Sequence, residues 1–207
     1  MTDALDSPDA AATPPRSRPK PGERRVQILQ ALATMLEQPG GERITTAALA
    51  ATLGVSEAAL YRHFASKAQM FEGLIGFIET SVFTLANQIT TQDADGAEQA
   101  RRITQMTLQF GEKNPGMARV MAGDALVHED ERLHARMNQF WDRLESQWRQ
   151  SLRAAAEAAG SPTPTVDANA RASVLTAFVL GRLQRFGRSG FKRSPTEHLD
   201  VALGLIT

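Results

Sequence analysis

Cysteine is absent from the 207 residues of the sequence. A disulfide framework and a thiolate nucleophile are therefore excluded, and a reducing cytoplasm is the expected compartment. No apolar segment is long enough to cross a bilayer, and Asp3, Asp6 and Asp9 stand where a signal peptide has basic residues. The sequence thus predicts a cytoplasmic protein with no membrane partner.

An excess of charge of one sign is also missing, because 23 basic and 23 acidic side chains cancel. Residues 16–67 are nevertheless basic, with eight Lys or Arg side chains against four Asp or Glu. This asymmetry is compatible with binding of a polyanion at one end, but charged residues usually only solvate a surface.

Sequence signatures of an active site are lacking as well. His128, Glu129, Asp130 and His134 form a cluster without the i, i+4 histidine pair of a helical zinc site. No Gly-rich loop ends in Lys-Ser/Thr, and no serine lies in a nucleophile elbow. We interpret the cluster as a solvated helix junction, and we expect no catalytic residue, no metal, no cofactor and no enzymatic activity.

Apolar residues recur at helical spacing from residue 23 onward, without sustained strand-like alternation. Residues 1–21 are rich in Pro, Ala and Asp, which predicts a disordered tail. The pattern then predicts short helices within 22–67, followed by longer ones at about 67–89, 131–158 and 167–188. We therefore expect an all-α fold with one domain at 22–67 and a second, helical domain at 68–207.

The region 44–67 contains the signals of closely spaced short helices. Thr45 and Ser56 are suited to N-caps, Gly54 to a left-handed turn, and Ser66 with Gln69 to a capping box. A short helix held across two others by a Gly-containing turn is typical of a helix-turn-helix, whose second helix lies in the DNA major groove. The sequence thus predicts a DNA-binding domain.

The short helix after Ser56 has residue types that suit contact with DNA. Ala58 and Ala59 allow close approach to base edges, whereas Arg62 and Lys67 are expected to bind phosphate. Hydroxyl groups at helix starts suit phosphate oxygens, although a purely capping role is preferred for Thr45. The predicted DNA-binding residues are Thr45, Thr46, Ser56, Glu57, Ala58, Ala59, Tyr61, Arg62, His63 and Lys67.

The run TTAALAATLGVSEAALYRHFASKAQMF resembles the DNA-binding region of the TetR family, with YRHFASK at its Tyr-x-His-Phe-x-x-Lys signature. Together with FGEKNPGMARVMAGDAL and FGRSGFKRSPTEH, it is similar to the nucleoid occlusion factors of that family. The resemblance implies a TetR-like homodimer that binds palindromic chromosomal sites, as one or more dimers per site. It also implies that the bound dimer antagonises polymerisation of the tubulin-like division protein FtsZ.

The same resemblance implies a dimer interface and a partner site. Helix 167–188 is apolar over much of its circumference, and the predicted dimer contacts are Leu175, Phe178 and Val179. A partner that requires the DNA-bound dimer is expected to dock where the two domains meet. The predicted contacts there are Phe77, Lys113 and Asn114, the latter two in an interruption of the helical pattern at 111–116. For Phe77, a position in the core is nearly as well favoured. FtsZ-type proteins carry an acidic and apolar C-terminal tail, which a groove with a cation at its rim would suit.

A ligand-responsive repressor is the alternative function, because most TetR-like proteins enclose an apolar effector in their C-terminal helices. Phe140, Trp141 and Trp148 are candidates to line such a pocket. An aromatic stripe at helical spacing is more often core than pocket, so we prefer a core position for these residues.

Overall fold

The computed structural model describes residues 22–38 and 43–207, so the tail predicted at 1–21 lies outside the described residues. Within these ranges the chain forms helices and turns with no strand, which confirms the all-α prediction. The α-helices are α1 (Glu23–Glu37), α2 (Thr46–Leu53), α3 (Glu57–Tyr61), α4 (Lys67–Gln92), α5 (Gly96–Lys113), α6 (Pro115–Met121), α7 (Glu131–Ala158), α8 (Pro164–Arg188) and α9 (Leu199–Ile206). A 3-10 helix covers Asp124–Leu126.

Local capping fixes the boundaries of α2 and α3, as predicted. The Thr45 side chain accepts a hydrogen bond from Ala48 N at 3.1 Å, and the Ser56 side chain accepts one from Ala59 N at 3.3 Å. Gly54 ends α2 with φ +65°, a left-handed conformation that favours glycine. The turn between the two helices is therefore specified at both of its ends.

Helix α4 belongs to both halves of the protein. Ser66 caps its first turn by accepting from Gln69 N, while the Gln69 side chain accepts from Ala65 N. Its buried face then contributes Leu74, Ile78 and other apolar side chains to the common core. Helix α4 therefore begins next to α1–α3 and continues into the C-terminal core, so it connects the two.

Ion pairs hold α4 against α7. Arg136 donates from Nε and Nη2 to the two carboxylate oxygens of Glu79, at 3.0 and 2.6 Å. This hydrogen bonding raises the pKa of Arg136, opposed by burial and aided by the charges of Glu79 and Glu72. Arg132 pairs with Glu72 at 3.0 Å one helical turn away. A bidentate arginine–carboxylate pair fixes orientation as well as distance, so the α4–α7 contact is a rigid one.

Helices α1 and α6 approach so closely that only glycine fits at one contact. A Cβ atom added to Gly116 would lie 2.1 Å from the Ala33 carbonyl oxygen. Arg119 adds a hydrogen bond from Nη1 to Gln38 O at 3.1 Å. The first helix of the DNA-binding domain is thus joined directly to the C-terminal core, independently of α4.

The predicted break at 111–116 is narrower in the structure. Helix α5 continues to Lys113, and Asn114 alone separates it from α6, which has Pro115 at its first turn. Gly111 is inside α5, where an added Cβ would lie 2.5 Å from Leu183 Cδ2. Close packing on α8, and not a turn, therefore explains this glycine.

Candidate DNA-binding and partner-binding surfaces

Helix α3 presents opposite faces to the core and to the exterior. Leu60 and Phe64 are buried against α1 and α2, whereas Ala58, Tyr61 and Arg62 are exposed. This is the placement that the sequence predicts for a recognition helix. An exposed face of small, aromatic and basic residues can enter a groove and donate to bases or phosphates.

A hydrogen bond links the starts of the two helices of the predicted motif. Thr46 Oγ1 donates to Glu57 Oε2 at 2.6 Å, from the first residue of α2 to the first residue of α3. The bond ties the first turns of the two helices together. A carboxylate at the start of a recognition helix can also accept from a cytosine amino group, so base contact by Glu57 stays a prediction.

Sequence reasoning missed Arg25, which holds the end of the recognition helix. Its guanidinium lies 4.1 Å from the centroid of the Phe64 ring and donates to His63 O. Arg24, Arg62 and His63 line a cleft of about 280 Å³ beside this contact. The basic residues of α1 thus lie next to those of α3. The only signal in the sequence was the Arg24-Arg25 pair at the start of the first helix.

Lys67 is engaged in an ion pair between the two halves of the protein. Its Nζ lies 2.5 Å from Glu129 Oε1 and 5.7 Å from the centroid of the Phe71 ring. The Glu129 side chain is only 7% exposed, so the interpretation of 128–134 as a solvated junction is wrong for this residue. Contact of Lys67 with phosphate stays a prediction, and it requires Lys67 to leave or share its carboxylate partner.

The three predicted partner-binding residues come together around Phe110. Phe77 is 50% exposed, and its ring centroid lies 6.4 Å from that of Phe110. Asn114 Nδ2 donates to Phe110 O at 2.8 Å, and the exposed Lys113 is the preceding residue. Phe77 is therefore a surface residue and not a core residue.

A groove between α4 and α5 continues from this aromatic pair. It has a volume of about 320 Å³, with Leu85, Ile89 and Met106 among its apolar lining residues. Arg102 lies at its edge and pairs with Asp93. Four glutamines, Gln88, Gln92, Gln105 and Gln109, make up half of its lining residues, so the groove is mixed polar and apolar with the cation Arg102 at its edge.

The predicted dimer contacts need a correction. Leu175 and Val179 are 0% exposed within a single chain, because they pack into its own core and leave no surface for a partner. Phe178 is partly buried under the guanidinium of Arg182, 4.9 Å from its ring centroid. The exposed residues of α8 instead include a stripe of small and apolar side chains, beside polar ones such as Asn169, Arg171 and Ser173: Val166, Ala170, Val174, Ala177 and Gly181.

The aromatic residues considered as a ligand pocket belong to the core, as preferred from the sequence. Phe140 and Trp141 stack edge to face at 5.1 Å, and Trp148 is fully buried. Trp141 Nε1 donates to Met121 O at 3.0 Å. Within residues 22–38 and 43–207, no cluster of His, Asp or Glu side chains is arranged to hold a metal ion, and no helix could span a membrane.

Both halves of the chain match models of known protein families. Residues 28–74 match the family described as bacterial regulatory proteins of the tetR family. Residues 95–207 match the SlmA-like C-terminal domain, described as a tetracyclin repressor-like C-terminal domain. The gap between the two matches, residues 75–94, covers the rest of α4 and the turn before α5.

Curated relatives match over most of the chain. The nucleoid occlusion factor SlmA of Photobacterium profundum is 51% identical over 182 residues, which cover 87% of this chain and 92% of the relative. The nucleoid occlusion factor SlmA of Idiomarina loihiensis is 50% identical over 178 residues, covering 86% and 90%. These regions include both the helix-turn-helix and the C-terminal helices.

Solved structures with the same fold include transcriptional regulators. PfmR of Thermus thermophilus superposes with a TM-score of 0.70 at 22% identity, covering 88% of this chain and 94% of PfmR. FadR of Bacillus subtilis, solved with stearoyl-CoA, gives 0.69 at 14% identity, covering 87% and 96%. At these identities the likeness establishes the fold alone. The fold, the two domain matches and the identity of about 50% to curated relatives place this chain in the TetR family, in the branch of the nucleoid occlusion factor SlmA.

Proposed function

We propose that this protein is a nucleoid occlusion factor: a dimer that binds palindromic chromosomal sites and, when bound, antagonises FtsZ polymerisation so that no septum forms over the nucleoid. The observation that carries the proposal is the 51% identity to a curated nucleoid occlusion factor over 87% of the chain. The protein would then act in the cytoplasm, on the nucleoid. Helices α1–α3 would serve as the DNA-binding domain, and residues 68–207 as the dimerisation and partner-binding domain.

DNA contact is assigned to the exposed face of α3 and to its flanks. Ala58 and Ala59 would set the fit in the major groove, because larger side chains there would hold the backbone away from the bases. Tyr61, Arg62 and Lys67 would contact phosphate and fix the register. The Arg25 contacts with Phe64 and His63 would keep this face in place when it meets DNA.

Dimerisation is assigned to the exposed face of α8. Its small residues allow a partner helix to approach closely, and Val174, 51% exposed, is the largest apolar side chain near the middle of that face. An interface of this kind is isologous, so its two-fold axis would match the symmetry of a palindromic site.

Binding of FtsZ is assigned to the α4–α5 groove. Phe77 and Phe110 would receive an apolar side chain of the FtsZ tail, and Lys113 would pair with one of its carboxylates. The groove adjoins α4, which begins directly after the recognition helix and is clamped to α7 by Arg136. A DNA-induced shift of the first three helices would therefore move α4 and change the shape of the groove.

The test is inhibition of FtsZ sedimentation by the Lys113→Asp variant in the presence of the DNA site. We expect this variant to lose inhibition while retaining dimer mass and DNA affinity. Arg153→Asp is the matched control, because Arg153 is exposed and pairs with Glu157 of the same helix, 3.4 Å away. Inhibition by Lys113→Asp at wild-type concentrations would place the partner site elsewhere.

A further inference from the structure

A second basic surface lies beside the proposed FtsZ groove. Residues 168–196 contain six basic side chains and no acidic one, although the whole chain has no net charge. Arg185, Arg188, Lys192 and Arg193 are exposed, and none forms an ion pair or side-chain hydrogen bond with a described residue. Most other cations near α4 and α7 are paired, for example Lys67, Arg132 and Arg136. These four cations therefore have no ion-pair partner within the described part of the chain, while the exposed carboxylates of Glu197 and Asp200 follow the segment.

The loop that carries two of these cations, residues 189–194, has a defined conformation and is here named the basic loop. Ser189 Oγ accepts hydrogen bonds from Lys192 N at 3.1 Å and Arg193 N at 3.0 Å. Phe191 adopts φ +64°, uncommon for a non-glycine residue, and packs edge to face on Phe186 at 5.1 Å. A loop held in this way presents Lys192 and Arg193 with little conformational freedom left to lose on binding.

The basic loop is attached to the end of α5 that carries Lys113. Ser194 Oγ donates to Glu112 Oε1 at 2.5 Å, and Thr196 Oγ1 donates to Glu112 Oε2 at 3.0 Å. Both carboxylate oxygens of the acidic neighbour of Lys113 are thus occupied by hydroxyl groups. The positive charges of Lys113, Lys192 and Arg193 consequently lie on adjoining segments.

The α4–α5 groove shares lining residues with a second cleft that lies toward this loop. Gln105 and Gln109 line the groove and also a cleft of about 340 Å³ that includes Thr196, His198 and Asp200. The two clefts therefore meet on α5, and Thr196 in the second one lies two residues after the end of the basic loop.

We infer that the basic loop is the second half of the peptide-docking site, and that Lys192 and Arg193 bind carboxylates of the same acidic peptide whose apolar part occupies the α4–α5 groove. This inference rests on the proposed function, because the peptide is taken to be the FtsZ tail. Charge complementarity assigns an acidic occupant, and the attachment of the loop to α5 and α8 favours a peptide over DNA. The positive charge of the loop raises the rate at which the acidic peptide associates with the protein. It also increases the affinity for the peptide with each carboxylate that the loop binds.

The experiment measures binding of a fluorescein-labelled peptide with the FtsZ C-terminal tail sequence, by anisotropy, to full-length variants. We expect Lys192→Glu and Arg193→Glu each to weaken binding by about threefold to tenfold and to flatten its salt dependence. DNA affinity should stay within about twofold of wild type, as for any charge outside the DNA contact. Arg153→Glu serves as the charge-matched control, and circular dichroism and dimer mass check the fold.

The possible outcomes separate this inference from the proposed function. Loss of peptide binding in Phe77→Ala but wild-type binding in both loop variants overturns the inference alone. Weakened DNA binding with unchanged peptide binding overturns it too, and assigns the loop to DNA. If the wild-type protein fails to bind the peptide at all, both the inference and the proposed FtsZ site are wrong.

Discussion

Replacing Glu129 by Gln tests whether the ion pair with Lys67 competes with DNA. The substitution keeps the shape of the side chain and removes its charge, so that Lys67 Nζ keeps a carbonyl oxygen as a weaker acceptor. Because Glu129 is nearly buried and Lys67 is 28% exposed, the pair contributes to stability yet can exchange its partner. We expect the variant to be less stable and to bind DNA more tightly.

The loss of stability and the gain in DNA affinity are estimated separately. Exchanging a charge-assisted hydrogen bond for a neutral one at this depth should lower the free energy of unfolding by about 1–2 kcal/mol. A released Lys67 would be free to neutralise a phosphate at all times, which makes the slope of log K against log salt more negative by at most about 0.9. At moderate salt this corresponds to a gain in affinity of about threefold to tenfold.

The assays are urea denaturation and a DNA titration at several salt concentrations, each with Glu129→Gln, Lys67→Met and the double variant. Lys67→Met keeps the aliphatic stem of the side chain but removes its charge. It should weaken binding to all DNA sequences and give a salt slope about one charge flatter than that of Glu129→Gln, with the wild type between the two. The double variant should bind DNA like Lys67→Met, because the effect of Glu129 on DNA acts through Lys67.

The reasoning would be refuted by Glu129→Gln and Lys67→Met variants that lose stability yet keep the wild-type salt slope. Lys67 would then be a structural tie between the two halves and not a phosphate contact. A gain in DNA affinity that persists in the double variant would equally contradict the competition, since Glu129 would act without Lys67.

Three further predictions concern the fold and the interfaces. Ala58→Leu should abolish specific DNA binding with unchanged circular dichroism, whereas Ala51→Leu, on the exposed face of α2, should not; loss of helicity in Ala58→Leu would argue against a purely local effect. Val174→Glu should give monomers in analytical ultracentrifugation, because it places a charge in the proposed interface; an intact dimer would move the interface off α8. Gly116→Ala should lower the free energy of unfolding by about 2 kcal/mol or more, since its Cβ would lie 2.1 Å from Ala33 O; wild-type stability in urea would contradict that contact.

Local signals were sufficient to predict the DNA-binding helices. Thr45, Ser56 and Ser66 act on groups within three residues of themselves, so their capping roles follow from the sequence. Gly54 likewise acts through its own backbone conformation. The family assignment also followed from the sequence, because the signature spans a contiguous run of residues.

Features that depend on distant residues were not predictable. The Lys67–Glu129 pair joins positions 62 residues apart, and nothing near Glu129 in the sequence indicates a partner. Apolar residues around most of α8 do not reveal which of them face the chain's own core, so Leu175 and Val179 were wrongly placed at the dimer contact. Gly111 was interpreted as part of a turn, because its close contact with Leu183 exists only in the folded protein.

The central claim is that the DNA-bound dimer antagonises FtsZ, and sedimentation of FtsZ polymer measures it most directly. FtsZ is polymerised with GTP and pelleted in the presence of the purified protein, with and without a duplex that carries its chromosomal site. The account predicts a smaller FtsZ pellet with protein and site together, and little change with a duplex of scrambled sequence. An FtsZ pellet that is unaffected by the protein on its specific site would contradict the account.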